Sequence, residues 1–161
     1  MLDIARRITV TLVLVAALAP GAASACSCTN ELTLEEEFGY AWTVFSGRVL
    51  AVQPSVEVNA PPLAVIIQPL ERWKGPLGDP QVVYTNLDEA TCGYPFEVGQ
   101  DYLIFTTLTY VGITYSPAHF THLCAKTSPL AGNVFVPLLP APQLPTPTRQ
   151  ATWGRLKLHY R

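Results

Sequence analysis

Thr43-Val44-Phe45-Ser46-Gly47-Arg48-Val49-Leu50-Ala51-Val52-Gln53 is the stretch on which the fold turns. Val44, Ser46, Arg48, Leu50 and Val52 fall on one face and Phe45, Gly47, Val49 and Ala51 on the other, the period of two that marks a strand. Gly47, with no side chain of its own, predicts a bulge or a place where another chain segment comes close. Downstream, residues 54–62 hold strand breakers, and residues 64–73 resume a β-branched and aromatic pattern in which Pro69 predicts an edge or a bulge. A turn over 74–80 leads to a third strand over 81–85, and residues 86–95 form a loop that carries Cys92. Residues 98–101 turn the chain into a strand over 102–108, and residues 112–115 with 120–124 supply the last pairing segments. Upstream, Thr33 followed by Glu36 is a capping box, which predicts a short helix over 34–42. One early helix and five short strands describe a mainly β fold, and a small Greek-key barrel is its simplest form.

The first 25 residues read differently. Arg6 and Arg7 precede an apolar run over 8–19, followed by Ala23-Ser24-Ala25, the order of a secretory signal peptide cleaved after Ala25. A run of that length is too short to cross a bilayer, and no later stretch is apolar enough to do so, so no transmembrane segment is expected. The mature chain would be one domain over 26–136, followed by a tail over 137–161 in which Pro137, Pro140, Pro142, Pro145 and Pro147 prevent a ladder and predict an extended, mobile course. Four cysteines, Cys26, Cys28, Cys92 and Cys124, remain after cleavage, and an even count in an exported chain predicts a disulfide framework. Joining Cys26 to Cys28 would close a strained ring, which leaves two long-range pairings open. Cleavage leaves a small acidic excess, which argues against a nucleic-acid partner, although no Asp or Glu follows Asp101 and the C-terminal stretch is basic. The expected product is a secreted monomer, extracellular or periplasmic.

Residues arranged for catalysis are scarce. The chain has no nucleophile elbow, no phosphate-cradling glycine loop and no zinc-binding His-Glu-x-x-His, so an enzyme is not expected, and no cofactor is implied. Glu35, Glu36 and Glu37 are consecutive and point in different directions, as on a solvated helix face. His119, His122 and Cys124 hint at a metal half-site, but strand geometry sends positions 119 and 122 to opposite sides, so no intrinsic metal site is expected. Cys26-Ser27-Cys28 at the cleavage point is the sharpest feature. Two half-cystines near a chain end are its plain meaning. A lipid-anchored Cys26 is the alternative, with Ala23 standing where a lipobox carries Leu, and thiol or copper handling is a third.

Cys-x-Cys at a mature N-terminus, the helix ending in Phe38, the run Ala41-Trp42-Thr43-Val44-Phe45-Ser46-Gly47-Arg48-Val49, the strand end Glu71-Arg72-Trp73-Lys74-Gly75, the pair Cys92-Gly93, the run Phe96-Glu97-Val98-Gly99-Gln100-Asp101-Tyr102-Leu103-Ile104-Phe105 and the closing Leu123-Cys124 form an ordered set. From residue 26 to about 130 that set resembles the netrin-like module of the tissue inhibitors of metalloproteinases, in particular its short bacterial relatives. The resemblance implies a five-stranded barrel of the oligonucleotide/oligosaccharide-binding type and a pairing of Cys26 with Cys92 and of Cys28 with Cys124. It implies a zinc metalloprotease as partner, whose catalytic zinc the Cys26 amine and carbonyl would chelate, with Ser27, Cys28 and Thr29 forming the inhibitory wedge. A non-inhibitory netrin-like module that holds a protein, a polysaccharide or the cell envelope is the alternative. The chain departs from the animal inhibitors in having fewer cysteines and in carrying Thr29-Asn30-Glu31 where they place prolines.

Overall fold

A computed structural model describes residues 26–28 and 32–143. The leader expected over 1–25, Thr29 of the wedge and the basic stretch over 144–161 lie outside the described residues. The elements are helix α1 (Leu34–Tyr40) and strands β1 (Thr43–Pro54), β2 (Leu63–Lys74), β3 (Gln81–Thr85), β4 (Asp101–Val111), β5 (Ser116–Phe120) and β6 (Ser128–Pro129), with 3-10 turns at Glu89–Thr91 and Val136–Leu138. Strands β1-β2-β3-β5-β4 pair in that order, and β4 returns to β1 and closes the ring, with β6 added beside β4. Only β3 and β5 run parallel. This is the mainly β, five-stranded Greek-key barrel with one short N-terminal helix and two disulfides that the sequence predicts. No helix among the described residues is long and apolar enough to cross a membrane.

The helix starts as its capping box dictates. The Thr33 amide donates to Glu36 Oε2 at 2.9 Å, and the Glu36 amide donates to Thr33 Oγ1 at 3.3 Å. It ends at Tyr40 rather than Trp42, because the Trp42 amide donates to the Thr106 carbonyl at 2.6 Å and so already belongs to the barrel wall. Lys74 closes the helix from outside, with Nζ 2.7 Å from the carbonyl oxygens of both Phe38 and Gly39.

Phe45, Val49, Val65, Ile67, Val83, Tyr102 and Ile104 fill the barrel interior. Their chain neighbours Val44, Leu103 and Phe105 point outward and join Ala41 and Trp73 under α1. Partly buried Phe135, Val136 and Leu139 pack on the same outer cluster, and the Gln143 amide donates to the Arg72 carbonyl at 2.7 Å. Of the expected tail the structure describes residues 137–143, which touch the barrel at Leu139 and Gln143, while the mobile course expected over 144–161 lies outside the described residues. Prolines block a ladder, but they leave apolar side chains free to pack.

Gly47 meets the expectation made for it. A Cβ there would run into the Ile67 side chain, and the β1–β2 register shifts between Ser46 and Gly47. At Pro69 the register skips Leu70, and β3 pairs with β2 only through Ile67, so a bulge and a free edge coincide. Two expectations are corrected. A further register shift between Val49 and Ala51 turns Val52 toward the interior cluster, off the face it shares with Val44 in strict alternation. Residues 112–115 form a turn rather than a pairing segment: Gly112 and Tyr115 have φ of 76° and 52°, and the Tyr115 amide donates to the Gly112 carbonyl at 3.3 Å. The strand that follows is Ser116–Phe120, with Pro117 where β5 has no β3 partner.

Candidate functional site

The tripeptide Cys26-Ser27-Cys28 is held by two loops, each rigid for its own reasons. Cys92 caps the 3-10 turn Glu89–Thr91 with φ 62°. Asp88 Oδ1 accepts from the Thr91 amide at 2.9 Å, the Asn86 side-chain amide donates to the Thr91 carbonyl at 2.6 Å, and the Gly93 amide donates to the Asp88 carbonyl at 2.6 Å. Gly93 is required where it stands, since a Cβ would collide with the Asn86 carbonyl. The second loop leaves β5 toward Cys124, whose amide donates to His122 Nδ1 at 3.2 Å. Behind it, the Thr127 hydroxyl lies 2.9 Å from that of Thr121 and accepts from the Phe105 amide at 3.0 Å, which ties the loop to β4.

Cys26 is bonded to Cys92 and Cys28 to Cys124, with Cα separations of 5.3 and 5.5 Å, the pairing implied by the resemblance. The two loops are also joined to each other, as the Leu123 amide donates to the Cys92 carbonyl at 2.9 Å. Ser27 and Cys28 are exposed, whereas Cys26 is 8% exposed with the preceding chain attached. The expected chelator Cys26 and two of the three expected wedge residues, Ser27 and Cys28, are thus placed together on one doubly anchored segment.

Glu37 of α1 faces the charged groups of the second loop, His122 and Lys126. Burial pushes the Glu37 carboxyl above its ordinary value, and the nearby His122 and Lys126 act against that rise. Lys126 also lies over the Phe135 ring, 6.0 Å from its centroid. His119 turns the other way, with Nδ1 3.2 Å from the Thr106 hydroxyl, and burial lowers its pKa. His119 therefore stands apart from His122 and Cys124, and among the described residues no group of three or more His, Cys, Asp or Glu converges as a metal site. Both pairs of sulfurs are oxidised and no free cysteine is present among the described residues, which leaves no thiol there for redox or copper chemistry.

A second concave feature has no counterpart in the sequence expectations. It lies between the β1–β2 loop and the 112–115 turn and includes Glu57 and Tyr84. Its only forewarning is Val56-Glu57-Val58, two apolar residues around an acid inside a loop otherwise made of breakers. Compared with known proteins, the chain matches no family model and no curated protein.

Proposed function

We propose that the chain, once cleaved after Ala25, is a secreted inhibitor of zinc metalloproteases that caps the target's catalytic zinc with the Cys26 α-amino nitrogen and carbonyl oxygen. A catalytic zinc keeps one coordination position open for water, and a neutral amine and a carbonyl on adjacent backbone atoms form a five-membered chelate that fills it. Ser27 then enters the specificity pocket, small enough for a narrow one, and the exposed edge of Cys28 lies against the cleft with Thr29 beyond it. The observation that carries this reading is the double anchoring of an exposed Ser27-Cys28 immediately after Cys26. A segment already ordered loses little freedom on binding, which favours affinity. The ordered resemblance to the tissue inhibitors of metalloproteinases supports the same assignment.

The proposal requires that cleavage expose the Cys26 nitrogen, since an acyl chain or a preceding residue removes its lone pair. The test compares the mature protein with a form carrying one additional alanine before Cys26, against a panel of zinc metalloproteases. The extended form should lose inhibition by about 100-fold or more, equivalent to about 2.7 kcal/mol, with the thermal midpoint unchanged. Equal inhibition by the two forms would refute chelation. An intact mass showing an acylated Cys26 would replace it with a membrane-anchored module.

A further inference from the structure

Strand β4 changes neighbours along its length. Over residues 101–106 it pairs with β1, and over residues 107–111 it pairs with β5. Among the described residues the side of β4 that faces β1 therefore has no strand beside it over 107–111. Two backbone hydrogen bonds bound this open stretch. The Trp42 amide donates to the Thr106 carbonyl at 2.6 Å, and the Gly112 amide donates to the Val58 carbonyl at 2.6 Å. Main-chain groups alternate between the two sides of a strand, and the bonds of neighbouring residues fix which side is which. The Phe105 amide and carbonyl both meet the Thr127 hydroxyl beside β6, away from β1, whereas the Thr106 carbonyl meets β1 through Trp42. The amides and carbonyls of Leu108 and Tyr110 accordingly face the open side.

Exposed sheet edges normally carry a lysine, a proline or a bulge that keeps other strands away. Thr107-Leu108-Thr109-Tyr110-Val111 has no charge and no proline, and its register with β5 runs without a shift. Leu108 and Tyr110 share one face and are 36% and 53% exposed. Across the hairpin from them stand His119 and Pro117, and burial lowers the pKa of His119, which keeps its ring neutral. Alternating donors and acceptors in a row fit another strand, and the absence of charge favours a strand of the same kind. A two-fold axis sets each residue opposite its own image, so a charged edge would repel itself and this one does not. Thr109 lies midway between the two bounding residues, Thr106 and Gly112, and is the natural place for such an axis. The formal net charge of the chain, −2, adds little repulsion between copies.

We infer that two copies of this chain pair antiparallel through the open edge of β4, with Thr109 on the two-fold axis and Leu108 of each copy opposite Tyr110 of the other. Each such pair exchanges both of its backbone hydrogen bonds and sets an aliphatic side chain against an aromatic one. The same axis brings position 106 of one copy opposite position 112 of the other, so Trp42, 44% exposed, approaches the second copy's hairpin tip, where Ile113 is 81% exposed. Pairing uses up the open edge of both copies, and the assembly closes at two. This replaces the monomer expected from the sequence, and it does not require the inhibitor assignment.

The test is sedimentation velocity of the oxidised, secreted protein from about 5 to about 500 μM, over which the mass should double. Thr109→Lys and Thr109→Glu each set like charges opposite one another on the axis, and each variant alone should sediment as a monomer. An equimolar mixture of the two sets opposite charges together and should restore the pair. The Thr109 side chain is part exposed, so both variants should melt near the parent. Hydrogen exchange on the unaltered protein gives a readout that needs no substitution. The Leu108 and Tyr110 amides should exchange about tenfold more slowly at the top of the concentration range than at the bottom, while those of Thr107 and Thr109, which face β5, should not change. A parent that stays monomeric, or exchange at Leu108 and Tyr110 that ignores concentration, would overturn the inference. So would pairing that persists in both single variants, a mixture that stays monomeric, or growth beyond two copies.

Discussion

Gly47 has no room for even one more carbon. A Cβ there would meet the Ile67 side chain and would come within 2.9 Å of the Gln68 carbonyl oxygen and 3.3 Å of the Phe45 ring. Two of these neighbours belong to the paired strand, so relief means moving backbone. Gly47→Ala is expected to destabilise the fold by about 1 to 3 kcal/mol, read as a lower urea midpoint with an unchanged slope. A midpoint equal to that of the parent would mean that the β1–β2 contact is looser than described. Gly47 was legible in the sequence because an isolated glycine interrupts a regular alternation. The bulge at Leu50 was not. No glycine or proline marks it, and the partner strand alone determines that Val52 turns inward.

The two ends of α1 show what local sequence contains and what it lacks. Its start is written in four residues, with Thr33 and Glu36 satisfying each other's amides. Its end depends on a residue far along the chain, because Lys74 donates to the Phe38 and Gly39 carbonyls and stands 5.6 Å from the centre of the Phe38 ring. Nothing near Tyr40 announces that stop, which is why the expected helix ran too long. Lys74→Met keeps the aliphatic stem and removes the ammonium. It is expected to destabilise the domain by about 1 to 2 kcal/mol, with a small loss of helical signal in far-ultraviolet circular dichroism. The turn over 112–115 was missed for a related reason. Ile113 and Tyr115 look like strand residues, and the left-handed backbone at Tyr115 is enforced by hairpin closure rather than by residue type.

At the scale of the molecule, strand number and closure followed from counting alternating segments, and the cysteine framework followed from even number and position. The Glu57 cleft did not, because it exists only where two loops distant in sequence meet, and neither loop carries a pattern of its own. The staples span 66 and 96 residues. In the loop-entropy model each contributes about 4 to 5 kcal/mol by restricting the unfolded chain. Replacing Cys28 and Cys124 together by serine is expected to lower stability by about 4 kcal/mol while Cys26–Cys92 remains, and calorimetry would detect the change. A thermal midpoint equal to that of the parent would contradict the pairing. The Leu123–Cys92 hydrogen bond gives these bonds a further property. Attack by an external thiol converts either bond into a mixed disulfide and one freed protein thiol, and these stay close together because the surviving bond and that backbone contact still hold the loops side by side. The freed thiolate then displaces the external thiol and restores the bond in an intramolecular exchange that needs no oxidant and is favoured by its high effective concentration. Mild reducing conditions therefore find a framework that repairs itself one bond at a time and fails only when both bonds are open at once.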